Sequence, residues 1–303
     1  FWRAWVARPA RVEDGTSLAL VRIAVGLVVA WDLGHTWATG ALGLLWGDVR
    51  DTPEGYRTFD AGGLFDLLGG ARLDTVHAVV AVTMAAAGML ALGVAARPAA
   101  FVALQGCIAL FALNPVSGGG HDRVVTNALW LLVLADSART LSLGARLRTG
   151  RWVDPTPVRA WPRDLLVFQL VVMYTTTGLQ KVGAEWFPWG GLLAVHNMLL
   201  EPAWARFDLA PYLGALGPLT RASTALTWLW EASFWVVGLA LLRGWRRVRD
   251  GYVLLGVAFH LGLLAVTDLG PFSPISLALY PALFRPDEWP WRRGTPSVER
   301  RAA

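Results

Sequence analysis

The strongest constraint on this chain is a series of apolar stretches, each near the length of a bilayer crossing. They lie near residues 17–38, 74–95, 98–114, 123–138, 164–182, 222–242, 251–268 and 271–285. A helix needs roughly 20 apolar residues to cross the hydrocarbon core. The fourth and eighth stretches are short by that measure. The last two are split by "TDLGPFSP", where Gly270, Pro271 and Pro274 predict a tight turn. The expected fold is an all-α integral membrane protein, a bundle of about eight transmembrane helices.

Composition supports the same class. The chain is 55% hydrophobic and 16% charged, with mean hydropathy +0.45, whereas a soluble domain is about one quarter charged. Its 17 tryptophans suit membrane–water interfaces. The lone cysteine, Cys107, excludes an internal disulfide and a cysteine-based zinc cage. No two histidines stand at the i, i+4 spacing of a helical metal site, so no metal is expected. The net charge of +5 comes without a basic run interleaved with aromatics, which argues against nucleic acid as a partner. The first apolar run is long enough to span, so it is not read as a cleavable signal peptide. No internal repeat appears. Residues 1–294 are expected to form one membrane domain, and 295–303 a polar tail.

The arginines orient the bundle. Positive charge accumulates in cytoplasmic loops. With eight spans and both termini cytoplasmic, inner segments hold 19 arginines and outer loops six, with Arg22 inside the first span. The dense inner loops are "RTLSLGARLRTGRW" and "RGWRRVRD". The outer side carries two long loops. Residues 39–73 hold Asp48, Asp51, Glu54, Asp60 and Asp66, and "FDAGGLFDLL" reads as a short interfacial helix. Residues 183–221 are rich in Trp, Pro and Gly. Long loops on one face tend to carry function.

An ionisable residue near the bilayer centre costs about 2.5–3.5 kcal/mol on insertion scales, so each is a functional candidate. Lys181 is the only lysine in a chain with 26 arginines. It sits at the outer end of the fifth span, in "FQLVVMYTTTGLQK". Burial can bring a lysine amine to neutrality, so lysine can act as a base where arginine stays charged. The competing reading is a lysine snorkelling from a helix end. His260, in "GVAFHLGLLAV", lies mid-span; it is either polar glue between helices or a donor or proton relay. His121 follows three glycines and opens the fourth span, with Asp122 able to cap it. Those glycines lack the Gly-Lys-Ser/Thr sequel of a phosphate loop. Glu231, in "LTWLWEASFW", is a carboxylate inside the sixth span; it is either one half of a structural ion pair with Lys181 or an arginine, the reading that buried charges favour, or a group in proton transfer.

Three stretches together resemble a known family. "GLQKVGAEW" holds the lysine before an acidic-Trp pair, Glu185-Trp186. "GGGHDRVVTNALWLLVLADSARTLSL" opens a span on a histidine and ends it in Asp. "FHLGLLAVTDLGPFSPISLALYPALFRPDEWPWRR" matches a last helical hairpin with its Phe-His pair and acidic-Trp-Pro exit. The chain is similar, from about Ser17 to Arg293, to the vitamin K-dependent γ-carboxylase family. The likeness is to its membrane part, the HTTM (horizontally transferred transmembrane) domain, as in a small bacterial-type member.

The resemblance implies an activity. The family lysine takes a proton from vitamin K hydroquinone, the deprotonated quinol reacts with O2, and the resulting base removes a γ-proton from a glutamate to which CO2 adds. Lys181 matches that lysine, His121 a histidine of the same active site, and His260 a histidine of the late-helix wall. The expected catalytic residues are Lys181 and His121. His260, Glu231, Tyr174 and Trp186 are the expected quinone-binding residues. Expected cofactors are a reduced quinone and O2, with CO2 as a further reactant. Expected partners are membrane lipid, lipid quinone and a secreted peptide or protein. The expected location is the plasma or inner membrane, with the site toward the extracytoplasmic side.

The departures are Gln180 and Gly120, where the animal enzymes have a second lysine and an asparagine. The β-rich region after the membrane domain in those enzymes has no counterpart before the tail "GTPSVERRAA". Two other readings stay open. A small transporter would use Glu231, His260 and Lys181 as a proton path, although no inverted repeat or paired broken helices show in the sequence. A non-catalytic partner in the maturation of a secreted peptide would bind it with the outer loops.

Overall fold

The computed structural model describes residues 11–48, 55, 57 and 62–292. The acidic positions Asp51, Glu54 and Asp60 and the polar tail lie outside the described residues. The chain is an all-α membrane protein. The described residues are mostly helical; strand pairing among them is limited to a two-residue antiparallel contact, in which Val12 meets Arg159 and Glu13 meets Val158, and an isolated bridge between Ala205 and Thr267. Four helices are long and apolar enough to cross a membrane, or five with one bent pair taken as a single span. Contacts within the chain divide it into two compact units.

The first unit draws on Phe1–Leu166 and Ala278–Ala303. Its helices are α1 (Thr16–Ala38), α2 (Ala41–Trp46), α3 (Leu64–Leu67), α4 (Leu73–Leu92), α5 (Ala96–Leu113), α6 (Gly120–Leu134) and α7 (Leu143–Thr149). α3 stands where the interfacial helix was expected. The first three expected spans are α1, α4 and α5, and each qualifies as a crossing. The fourth, α6, is a 15-residue helix. Helix α4 ends on Gly93 at φ +71°, a backbone state that glycine enters without a Cβ clash. The link to α5 is only Gly93–Ala95, so the two helices pack as neighbours, and α1 and α6 pack against them.

Lipid tails are as apolar as leucine, so membrane helices associate through close packing and small residues. A Cβ on Gly26 of α1 would lie 2.7 Å from the carbonyl oxygen of Ala87 and 2.8 Å from the Ala91 nitrogen on α4. One on Gly106 of α5 would strike the Thr83 side chain. Two arginines stitch the unit. Arg22 is fully buried and donates to the carbonyls of Ser137 (3.1 Å), Leu141 (2.6 Å) and Ala91 (3.4 Å). Buried Arg163 donates Nε to Glu13 Oε1 at 2.6 Å and Nη1 to the Ala282 carbonyl at 2.9 Å.

The second unit is Val167–Leu277. It takes most of α8 (Trp161–Leu179), then α9 (Ala194–Leu200), α10 (Leu213–Ala232), α11 (Trp235–Arg243), α12 (Arg246–Val266) and the start of α13 (Phe272–Leu279). Short 3-10 turns at Ala184–Trp186 and Pro188–Gly190 come after α8. The sixth expected span, 222–242, is broken: α10 and α11 meet at a 52° bend. Continuous apolar character hid this break, since neither proline nor glycine stands between Glu231 and Val237. The turn expected in "TDLGPFSP" is made on Gly270 at φ +56°. The eighth expected span is α13 continued by a 3-10 turn at Tyr280–Leu283.

If Gly26 sets the spacing of α1 and α4, Gly26→Leu should lower the thermal midpoint in detergent, by about 1–3 kcal/mol of overpacking. Gly88→Leu on α4, where a Cβ meets nothing within 4 Å, should leave it nearly unchanged.

Candidate functional site

In the second unit, one close approach arranges the polar groups. A Cβ on Gly178 near the end of α8 would fall into the backbone of Ala232 and Glu231 at the end of α10. Only a glycine lets the two main chains meet this closely. Glu231 therefore stands beside the point where α8 stops, and the chain turns so that Lys181 Nζ donates to Glu231 Oε2 in a direct ion pair. The Glu231 side chain is 4% exposed and that of Lys181 16%. The Lys181 ammonium also lies over the Trp186 ring, 4.9 Å from its centroid, where the negative face of the ring attracts it.

The loop after Lys181 is held by aromatic stacking. Phe187 stacks on Trp189 with centroids 4.6 Å apart and meets Trp228 of α10 edge-on at 5.0 Å. A Cβ on Gly190 would overlap the Ala184 carbonyl, which presses the second 3-10 turn against the first. On the side of the loop, the Lys181–Glu231 pair meets the face of Trp186.

A second cluster in the same unit ties three helices. The Tyr174 hydroxyl on α8 shares a 2.6 Å hydrogen bond with His260 Nε2 on α12. His260 Nδ1 is 3.1 Å from Ser273 Oγ on α13. With the proton on Nδ1, the tyrosine donates to Nε2 and the imidazole donates to the serine. All three residues are buried. The Tyr174 ring packs on Trp230 at 4.8 Å and Phe234 at 4.5 Å, and Trp230 is the residue before Glu231. The arrangement satisfies each polar group and also forms a continuous proton-sharing chain.

His121 belongs to the first unit. It opens α6, with Nε2 3.1 Å from Asp122 Oδ1. Asp122 Oδ2 accepts from the Gly119 amide at 3.2 Å, capping the helix start. The three glycines have a local explanation at two positions: a Cβ on Gly118 would strike Asp122, and one on Gly119 would come within 2.8 Å of His121 Nδ1. Asp32 on α1 lies within electrostatic reach of His121, Asp122 and His35. It was missed among the sequence candidates, although it is the only carboxylate in the first expected span. Of the six candidates, the structure places Lys181, Glu231, Trp186, Tyr174 and His260 in the second unit and His121 in the first. No group of three or more metal-ligating side chains stands together among the described residues.

These features define a helical membrane protein with a lysine paired to a buried carboxylate beside an aromatic loop. A family model described as HTTM domain matches residues 10–289. The chain belongs to the HTTM-domain family, which is related to vitamin K-dependent carboxylase. Comparison with curated proteins and with solved structures gave no match.

Removing one partner of a buried pair leaves an uncompensated charge, at up to about 3–5 kcal/mol. Lys181→Met, which strands the more deeply buried Glu231, should destabilise more than Glu231→Gln. The double variant should lose less than the two single effects added, giving a coupling energy in a double-mutant cycle measured by thermal unfolding.

Proposed function

We propose that the protein is a membrane-embedded, vitamin K-dependent carboxylase-like enzyme that uses the Lys181–Glu231 pair to take a proton from a reduced quinone. The observation that carries this reading is the direct Nζ–Oε2 contact of the only lysine with a buried carboxylate. A paired ammonium has no lone pair to act as a base. The carboxylate supplies the remedy: as Nζ passes a proton to Oε2, the freed amine takes one from a ligand hydroxyl. The pair then stands as an ammonium beside a neutral carboxyl. Arginine in the same place holds its protons at all relevant pH.

The residues around the pair suit a flat ligand bearing an acidic hydroxyl. Trp186 presents its ring face at the pair, Phe187 and Trp228 pack against each other in the adjoining loop and helix, and the pair provides both a cation and a proton acceptor. When bound, a reduced quinone would supply the acidic hydroxyl and the reactivity toward O2, with CO2 as a further reactant. Tyr174 and His260 hold the neighbouring helices in register and offer a second proton-sharing chain. His121, with Asp122 beside it, is the further catalytic candidate by its match to the family histidine. Arginine bias supports a site on the extracytoplasmic side of a plasma or inner membrane, with a secreted peptide or protein as the acceptor.

A second reading, a non-catalytic partner in peptide maturation, draws on the same contact, because an internally neutral pair can also serve packing alone. Lys181→Arg separates the two. It keeps the charge pairing with Glu231 and removes the proton acceptor. In lipid nanodiscs with reduced naphthoquinone, this variant should keep its melting temperature and lose O2 uptake by about 100-fold or more. Unchanged uptake would overturn the enzymatic reading.

A further inference from the structure

The second unit holds a polar group that the Lys181–Glu231 pair does not use. Helix α8 carries three successive threonines. Thr176 and Thr177 donate back to the carbonyls of Val172 and Met173, each at 2.7 Å. Thr175 does not: its Oγ1 is buried and has no hydrogen-bond partner among the described residues. Inside a helix the carbonyl four residues back is within reach of a threonine hydroxyl. A threonine that leaves that bond unmade while its two neighbours make theirs has turned its oxygen elsewhere.

Contacts on either side fix where Thr175 stands. Residues 171, 175 and 178 lie on one helical face, at i, i+4 and i+7. Val171 packs against Gly238 of α11, 3.7 Å from where a Cβ would sit, and Gly178 meets Ala232 of α10. The α8 face therefore runs antiparallel to the bent pair, and Thr175 falls opposite the Ser233–Phe234 break. The stacking of neighbouring Tyr174 on Phe234, at 4.5 Å, agrees with that level. Discontinuous helices in membranes bring polar groups to ligands at their breaks. Thr175 also lies three residues, just under one helical turn, from Gly178, whose neighbour Glu231 holds the Lys181 ammonium.

We propose that Thr175 is a ligand-binding residue of the same site, its hydroxyl meeting one ring oxygen of a quinone-class ligand while Lys181 meets the other. This rests on the reading of the Lys181–Glu231 pair as a quinol site. Two oxygen contacts at fixed spacing would orient the ring, so that one hydroxyl and not the other faces the amine. The residue sets binding and orientation rather than proton transfer.

The test uses the full chain in lipid nanodiscs, with 2-methyl-1,4-naphthoquinone and its dithionite-reduced form as probes, followed by titration calorimetry. Thr175→Val keeps the shape and removes the hydroxyl. It should weaken binding about tenfold, with a melting temperature unchanged or raised, because a group without a partner is removed. Thr175→Ser should bind nearly as the parent does. If the parent binds and Thr175→Val binds equally well, the inference falls and the quinol reading stands. If the parent binds neither form of the probe, both fall. If Thr175→Val melts several degrees lower, the hydroxyl serves the fold, and the inference falls on that result.

Discussion

Hydrocarbon supplies no water to a buried charge, so every ionised group inside the membrane helices must find its partner within the protein. Much of the described architecture answers that requirement. Arg22 on α1 meets it with three carbonyls drawn from the end of α4 and the chain after α6. Arg163 at the start of α8 meets it with Glu13 and the Ala282 carbonyl. Lys181 meets it with Glu231. The first two solutions fasten segments distant in sequence. The third joins two residues that can exchange a proton, which makes the same physical answer chemically useful.

Close packing decides which charges can pair. Gly178 permits the main-chain contact that sets Glu231 beside the end of α8, and the 3-10 turns then return Trp186 beneath the lysine. In the first unit, Gly26 and Gly106 serve helix spacing, and the charged group beside Gly26, Arg22, is held by carbonyls, that of Ala91 among them. The difference lies in the residues that succeed each glycine. After Gly178 come a helix end and a flexible amine; after Gly26 the helix simply continues.

The class of fold was legible in the sequence because the cost of exposing polar groups to lipid imposes long apolar runs. Each expected span falls on a helix or a helix pair. The singular lysine and the intramembrane glutamate were legible for a related reason, since a charge in an apolar run stands out. Their pairing was one option among several, because separation in sequence says nothing about facing helix surfaces. The bend between α10 and α11 was hidden, as "EASFWVV" carries neither proline nor glycine; the break falls at Ser233, whose hydroxyl donates to the Leu229 carbonyl, a back-bond that bends helices. Asp32 was visible but passed over. Thr175 was beyond reach, because a threonine in a helix reads as back-bonded until its rotamer is seen.

Gly178 has a consequence for how this sequence can drift. At most tight contacts between helices, a larger residue on one side can be accommodated by a smaller one on the other. Here the atoms that exclude a methyl group belong to the main chain of Glu231 and Ala232, which every amino acid shares. No exchange at position 232 makes room. A lineage that gives up this glycine must move a helix, and with it the separation between amine and carboxylate on which the proposed chemistry rests.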